Sequence, residues 1–539
     1  MATLGRTAAM ETSQPPKARA FEPHFERVGR QPENPYAALI PNQEIAIVPS
    51  FTLESGVVLR NAPVAYSTRG KLSAAGENAI IICHALSGSA DVADWWGALM
   101  GGAGRAFDVS RFFVICLNSL GSPYGTASPV TSIDGDPSKP HYGPEFPLTT
   151  IRDDVNLHKI ILDDLGVKQI AAVVGGSMGG MLVLEYAYFG PEYVRAIVPI
   201  ATSSRHSAWG ISWGEGQRQA IYADAKYEDG YYSFDDPPST GLGAARMQAL
   251  LTYRSRDSFE ARFGRNVRGP SKNPQPNGTE QERPQTPSDE HFAIHNDGHK
   301  NAGHIRSHIN GDATPDSLST ANFTDPQFNG TTSFSPPTPP SSKTNRPHRT
   351  PSTPYFSAQS YLRYQGQKFV SRFDSNCYIA ITRKLDTHDV SRHYQDAPPP
   401  PAISITEPPE LTPTSNGSNS TDHALTSALN MIQQPTLVLG IESDGLFTFA
   451  EQQELATHIP NARLRKIESP EGHDAFLLQF QQVNRHLLEF FREVLPDIMN
   501  REAEGVDGTE GDVEADDVVG EISKTSTFGE AEVGDFTAW

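Results

Sequence analysis

The stretch Gln169-Ile-Ala-Ala-Val-Val-Gly-Gly-Ser-Met-Gly-Gly180 is an apolar run that ends in glycines around a serine, and residues 181–187 continue it as an apolar segment. Gly175 and Gly179 stand at the glycine positions of a G-x-S-x-G motif, where a strand turns so tightly into a helix that a side chain beside the serine would clash. The stretch therefore predicts a strand, a sharp turn and a helix, with Ser177 presented as a nucleophile at the start of the helix. A glycine-rich turn that contains an incidental serine is the alternative interpretation.

Two later loops supply an acid and a histidine. Residues 435–440 predict a buried strand, and Asp444 follows its carboxyl end. Residues 463–467 predict another strand, and His473 lies in the loop after it. The chain order Ser, Asp, His is the order that the α/β-hydrolase fold requires. Because the carboxyl ends of parallel strands share one edge of a sheet, we predict that these two residues form a catalytic triad with Ser177.

This pattern predicts an α/β protein with the α/β-hydrolase fold. Its central sheet should be mostly parallel, with a helical cap domain and disordered insertions added to it. Each triad residue taken singly could be an ordinary loop side chain. Three of them in the right order, each at the end of a predicted strand, favour the catalytic interpretation.

An oxyanion hole needs two backbone N–H donors. The residue after the nucleophile, Met178, provides one of them in this fold. Residues 78–83 predict an earlier strand, and we assign the second donor to the backbone of Leu86 in the loop that follows it. His84 in the same loop is a rival general base, but it precedes the serine in the chain, and we interpret it as structural.

Several motifs in the chain resemble one family, the homoserine O-acetyltransferases, of the fungal type with long insertions. The resemblance covers about residues 35–264, 354–394 and 430–495. The motifs that carry it are 46–56, 84–91, 94–96, 118–125, 146–154, 175–180 and 472–476.

The resemblance implies the same triad, Ser177, Asp444 and His473. It also places the substrate arginine of the family on Arg246, its substrate aspartate on Asp474 and a pocket tyrosine on Tyr253. These assignments suit an amino-acid acceptor, because a guanidinium can bind its carboxylate and a carboxylate its ammonium group. Without the family, Arg246 is an ordinary helix arginine and Asp474 an ordinary loop acid.

The implied activity is transfer of acetyl from acetyl-CoA to the hydroxyl of L-homoserine, a step of methionine biosynthesis, through an acyl-serine enzyme in a ping-pong mechanism. Acetyl-CoA is a co-substrate, and no cofactor and no metal are expected. We hypothesise that a cap excludes water from the acyl-enzyme. The alternatives are serine or a deacetylated metabolite as acceptor, succinyl-CoA as donor, a plain esterase or thioesterase, and a catalytically inactive scaffold.

Composition changes along the chain predict its organisation. We expect a disordered N-terminal segment 1–35, a first core part 36–204, a cap 205–425, a second core part 426–498 and an acidic tail 499–539. Within the cap, the segments 265–353 and 397–422 are rich in Pro, Ser, Thr and Asn and are expected to be disordered. Cap helices are expected at 212–225, 242–253 and 360–369.

The formal charge is −20, and residues 501–539 hold 12 acidic and 2 basic side chains. No basic patch offsets this charge, so nucleic-acid binding is not expected. The chain has 3 cysteines, too few for a disulfide framework. Its first residues lack a secretory apolar segment and no 18-residue apolar run occurs, so we expect a cytoplasmic protein without membrane association. The resemblance also implies a homodimer.

Overall fold

A computed structural model describes residues 24–266, 287–299, 356–392 and 418–502. The described residues divide into two compact units, one of residues up to 262 together with those from 364 to 502, and one of the described residues between 263 and 363. All of the predicted site residues belong to the first unit.

Eleven strands occur among the described residues. They are β1 (Glu26–Val28), β2 (Glu44–Thr52), β3 (Val58–Arg69), β4 (Ala79–Cys83), β5 (Met100–Gly101), β6 (Phe107–Asp108), β7 (Phe113–Leu117), β8 (Ile170–Gly176), β9 (Ile197–Ile200), β10 (Thr436–Gly440) and β11 (Ala462–Lys466). Nine of them form the sheet at the centre of the first unit, in the order β1-β2-β3-β7-β4-β8-β9-β10-β11. The short strands β5 and β6 pair separately.

Six strands of this sheet, β7, β4, β8, β9, β10 and β11, run parallel, and β1 to β3 form an antiparallel edge. Every residue of β4, β7, β8, β9 and β10 is buried, as expected for parallel strands covered by helices on both faces. Along β4, Ala79, Ile81 and Cys83 enter the apolar core on one face of the sheet, and Ile80 and Ile82 enter the core on the other. The predicted fold is confirmed.

Fourteen α-helices occur among the described residues. They are α1 (Val92–Trp96), α2 (Ile151–Asp164), α3 (Met178–Ala187), α4 (Ala208–Tyr222), α5 (Ser239–Tyr253), α6 (Arg256–Arg262), α7 (Pro287–His295), α8 (Ser357–Val370), α9 (Ser375–Asp386), α10 (Ser418–Asn430), α11 (Phe449–His458), α12 (Ala475–Leu478), α13 (Phe480–Val494) and α14 (Pro496–Met499).

The chain between β9 and β10 supplies the helices of the cap. The helices expected at 212–225, 242–253 and 360–369 correspond to α4, α5 and α8, and each begins a few residues earlier than expected. At α4 the cause is Ser207, whose side chain accepts the N–H of Gly210 and so caps the helix. The sequence reasoning missed α9, which Asp374 caps by accepting the N–H of Cys377.

A buried ion pair joins the cap to the sheet domain. Lys384 of α9 lies 2.5 Å from Asp154 of α2, and neither side chain is exposed to solvent. The same ammonium group donates to the carbonyl of Leu120. Removal of either charge would leave the other buried without its partner, so this pair fixes α9 against the sheet domain.

The structure corrects the expected disorder at three places. β1 lies within 1–35 and pairs with β2. Arg27 of β1 also forms a 2.6 Å ion pair with Asp164 of α2, which is a long-range contact that a local pattern does not reveal. The helix α7 lies within 265–353, and α10 begins within 397–422. Most of the remaining residues in these predictions, and most of the tail, are residues 1–23, 267–286, 300–355, 393–417 and 503–539, which lie outside the described residues. Within the described ranges, no helix combines the length and the apolar character needed to cross a membrane.

Candidate active site

The predicted nucleophile, Ser177, lies in the turn between β8 and α3. Ser177 adopts φ 60° and ψ −127°, a strained backbone conformation for a residue that is not glycine. A Cβ on Gly179 would come 2.1 Å from the carbonyl oxygen of Cys83, and one on Gly175 would come 2.5 Å from the carbonyl oxygen of Gly179. Both glycines are therefore required by close backbone packing, and the G-x-S-x-G interpretation agrees with this turn.

Asp444 and His473 meet at the carboxyl ends of β10 and β11. The Oδ2 atom of Asp444 lies 2.7 Å from Nδ1 of His473, and both residues are buried. The Oδ1 atom accepts the backbone N–H groups of Leu446 and Phe447 at 2.8 and 3.0 Å. With both oxygens occupied in this way the carboxylate has one orientation, and its Oδ2 atom accepts a hydrogen bond from the Nδ1–H of the histidine. This leaves Nε2 as the atom available for a proton from a nucleophile.

The electrostatics of His473 suit a general base. Burial lowers its pKa, but the charge of Asp444 and its hydrogen bond raise the pKa by more, and Asp474 adds to the increase. The net pKa lies above the ordinary value of a histidine. The rings of Phe447 and Phe476 pack against the imidazole, with ring centres 5.4 and 5.6 Å away.

A cavity of about 740 Å³, including its open mouth, brings Ser177 and His473 to one surface. Leu86 lines the same cavity, and Met178 begins α3 directly after Ser177. The two predicted oxyanion donors thus belong to the loop after β4 and to the first residue of α3. Most of the wall is apolar or aromatic, with Trp95, Trp213, Leu385, Leu446, Phe447, Phe476 and Leu477 among its residues.

The three predicted substrate residues occupy different positions. Tyr253 and Asp474 line the cavity beside His473, whereas Arg246 is buried and does not belong to the described lining. The Arg246 guanidinium lies 5.3 Å from the ring centre of Tyr253 and 4.7 Å from that of Phe369. Arg246 therefore supports Tyr253 from within the protein in this conformation.

Asp474 has a cationic partner within the protein, which the sequence reasoning missed. Its carboxylate lies 3.0 Å from Nε of Arg254, and the same guanidinium lies 2.8 Å from Glu471. Arg254 directly follows Tyr253 in the chain. This position next to a predicted pocket residue was the sequence signal that could have identified Arg254 as part of the site. A substrate ammonium group at Asp474 would share the carboxylate with Arg254.

Residues of the cap helix α4 also line the cavity, and they too were missed. Gly210, Trp213, Gly214 and Gln217 contribute one face of this helix to the wall. Their spacing of three and four residues is the signal that could have identified a shared helix face. His206 lines the cavity just before α4, and burial lowers its pKa to about 4.

Known proteins that are similar to this chain agree with its fold. The family model described as alpha/beta hydrolase fold matches residues 78–296. Homoserine O-acetyltransferase of Emericella nidulans is 63% identical over 528 residues, which cover 98% of this chain and 100% of that protein. The chain belongs to the homoserine O-acetyltransferase family. Homoserine O-acetyltransferase of Ascobolus immersus is another relative, 54% identical over 554 residues, with 96% of this chain and 98% of that protein covered.

This membership confirms the resemblance that the motifs indicated. Among solved structures, homoserine O-acetyltransferase from Bacillus anthracis matches the chain with a TM-score of 0.56 and covers 86% of this chain and 98% of that one. Its sequence identity is 17%, so this likeness shows the shared fold alone.

Proposed function

We propose that this protein transfers the acetyl group of acetyl-CoA to the hydroxyl of L-homoserine through an acetyl-enzyme at Ser177. The family membership over nearly the full chain supports the reaction class. The observation that carries the chemistry is the 2.7 Å pair of Asp444 and His473, which shares a cavity with a serine on a strained strand-to-helix turn.

In the first half-reaction, Nε2 of His473 takes the proton of Ser177 while the serine oxygen attacks the thioester carbonyl. The resulting oxyanion is stabilised by the backbone N–H groups of Leu86 and Met178, where positive dipoles aimed at the developing charge lower the barrier. His473, now protonated and stabilised by Asp444, gives its proton to the CoA thiolate as the C–S bond breaks. The acetyl-serine and free CoA remain.

In the second half-reaction, His473 takes the proton of the homoserine hydroxyl, which attacks the acetyl-serine carbonyl. The tetrahedral intermediate collapses to O-acetylhomoserine, and the proton returns to Ser177. We propose that Asp474, shared with Arg254, receives the ammonium group of the acceptor. We propose that Arg246 binds the carboxylate of the acceptor. Its buried guanidinium lies next to Tyr253, which lines the cavity, and a local movement of the tyrosine would let the guanidinium reach the carboxylate.

Water must compete poorly with homoserine, because hydrolysis of the acetyl-serine would make the protein a thioesterase. The apolar wall contributed by Trp213 of the cap and by Phe447 and Phe476 of the sheet domain supports our proposal that the cavity limits the access of water. The homodimer implied by the family resemblance also stays a proposal, and sedimentation of the full chain would test it.

Release of CoA by the purified full chain tests the proposed reaction. Acetyl-CoA is supplied alone, with L-homoserine and with L-serine, and Ser177→Ala is the matched variant. We expect fast release only with homoserine, and none from the variant. Equal release without any acceptor would instead establish the thioesterase alternative, and a preference for L-serine would keep the mechanism but change the acceptor.

A further inference from the structure

The two predicted oxyanion donors share a feature that the mechanism above does not use. Each donor N–H belongs to a peptide whose carbonyl oxygen accepts at least two hydrogen bonds. The carbonyl of Ala85, in the peptide with Leu86, accepts from the side chain of His84 and from the N–H of Gly88. The carbonyl of Ser177, in the peptide with Met178, accepts from a side chain and from backbone N–H groups in the same manner.

The hydrogen bonds of His84 define its protonation. The backbone N–H of Ser119 donates to Nε2 at 3.0 Å, and an N–H group can only donate. Nε2 therefore carries no proton, so that Nδ1 carries it and donates to the Ala85 carbonyl at 2.8 Å. Burial lowers the pKa of His84 to about 4, which keeps the ring neutral with this single proton at ordinary pH.

Thr202 plays the corresponding part on the other side. It follows β9, is fully buried, and donates its hydroxyl proton to the carbonyl oxygen of Ser177 at 2.8 Å. The N–H of Gly180 donates to the same oxygen at 2.9 Å. A Cβ on Gly180 would come 2.6 Å from the side chain of Thr202, so these two elements are packed in direct contact.

The described chain contains no cis peptide bond, and in a trans peptide the C=O and the N–H point in opposite directions. A side chain that holds the carbonyl therefore also aims the N–H of the same peptide. We propose that His84 and Thr202 are positioning residues that hold the Ala85–Leu86 and Ser177–Met178 peptides so that both N–H groups face the oxyanion. This inference rests on the proposed acyl-serine chemistry but on neither the acyl donor nor the acceptor.

Neither His84 nor Thr202 belongs to the described cavity wall, so their effect must pass through the two peptides. A flip of either peptide would remove a donor and would place a carbonyl oxygen towards the developing negative charge. Hydrogen bonds to the two carbonyls also polarise the peptides, which strengthens their N–H groups as donors. Both effects act on the transition state more than on the bound substrate.

The test uses variants that differ in the donor and little in size. Thr202→Val removes the hydroxyl with nearly the same shape, and Thr202→Ser restores it. His84→Leu removes the donor, and His84→Asn keeps an N–H near the position of Nδ1. Each full-length variant is assayed for acylation by p-nitrophenyl acetate, for kcat and KM separately, and for affinity towards a trifluoromethyl ketone that forms a tetrahedral adduct with serine.

Removal of a whole oxyanion donor costs a rate factor of about 10² to 10³, so loss of one positioning hydrogen bond should cost about tenfold. We expect Thr202→Val and His84→Leu to lower kcat about tenfold with little change in KM. The affinity for the ketone should fall by a similar factor. The Ser and Asn variants should recover most of the loss. Equal activity and ketone affinity in the Val and Leu variants and in wild type would overturn the inference, as would a loss that the Ser and Asn variants share.

The assay separates this inference from the proposed function. A wild-type protein that p-nitrophenyl acetate does not acylate at Ser177 would contradict the acyl-serine chemistry itself. A wild-type protein that is acylated normally, with variants that match it, would contradict only the role of His84 and Thr202. If a substitution at one of the two peptides prevents folding, the two variants at the other peptide still test the positioning role.

Discussion

Asp444→Asn is the substitution that tests the general base most sharply. The Oδ1 atom of Asp444 accepts two backbone N–H groups, so the amide that replaces the carboxylate should keep its oxygen there and turn its NH₂ group towards His473. That NH₂ would donate to Nδ1, and Nε2 would then carry the ring proton. In this tautomer His473 cannot accept the proton of Ser177. In serine hydrolases the same tautomer change costs a factor of about 10⁴ in kcat, or about 5 kcal/mol.

The pH profile gives this prediction a second readout. Asp444 raises the pKa of His473 against the opposing effect of burial, so loss of its charge lets burial dominate and lowers the pKa. The acidic limb of kcat/KM, which reports loss of the neutral base in the free enzyme, should therefore move to lower pH in the variant. Acylation by p-nitrophenyl acetate from pH 4 to 9, with thermal unfolding as the folding control, measures both effects. A folded variant within tenfold of wild type, with an unmoved acidic limb, would refute the assigned role of Asp444.

Three other substitutions have defined expected results. Gly179→Ala places a Cβ against the carbonyl of Cys83 and must displace the loop that follows β4. A displacement of the oxyanion donor in that loop by about 1 Å should lower kcat by about 10²-fold in steady-state assays. Lys384→Met leaves Asp154 buried without its ion-pair partner and should lower the free energy of unfolding by about 3 to 5 kcal/mol in urea titrations. Arg246→Ala should lower kcat/KM for homoserine by about 10- to 100-fold, the value of a lost charged hydrogen bond, while acylation by p-nitrophenyl acetate is nearly unchanged.

Matched controls accompany these variants. For the glycine, Gly216→Ala adds a Cβ that meets only the flexible side chain of Gln248 at 3.3 Å, and should leave activity unchanged. For the ion pair, Lys159→Met removes a surface pair with Asp163 and should change stability by less than about 1 kcal/mol. Equal destabilisation by the two lysine substitutions would contradict the importance of burial. Equal loss of acylation and of transfer in Arg246→Ala would contradict its role in acceptor binding.

The fold could be predicted from sequence because the strongest signals were local. The G-x-S-x-G turn and the apolar strands can each be recognised in a short segment, and the order of Ser177, Asp444 and His473 can be read directly from the chain. β1 could not be predicted in this way, because it is a short polar strand whose contacts, with β2 and between Arg27 and Asp164, are made with distant parts of the chain. Helix α7 was missed for a related reason, since it is a short helix within a long polar segment.

Some features of the site could likewise be predicted from short segments, whereas others depend on contacts between distant parts of the chain. Tyr253 and Asp474 reach the cavity as expected, but the ion pair of Asp474 with Arg254 joins segments more than 200 residues apart along the chain. The contribution of α4 to the cavity wall depends on how the cap packs, which residue spacing alone does not specify. His84 was interpreted as structural from its position, and only the hydrogen bonds of its two ring nitrogens connect it with the Leu86 donor.

Mass spectrometry of the acyl-enzyme tests the central claim most directly. The full chain is mixed with acetyl-CoA without acceptor, quenched in acid and digested, and the peptide that contains Ser177 is examined before and after addition of L-homoserine. We predict one acetyl group on Ser177, which homoserine removes as O-acetylhomoserine much faster than water does. An acetyl group at another residue, no acetyl-enzyme at all, or discharge at the same rate with and without homoserine would contradict the account.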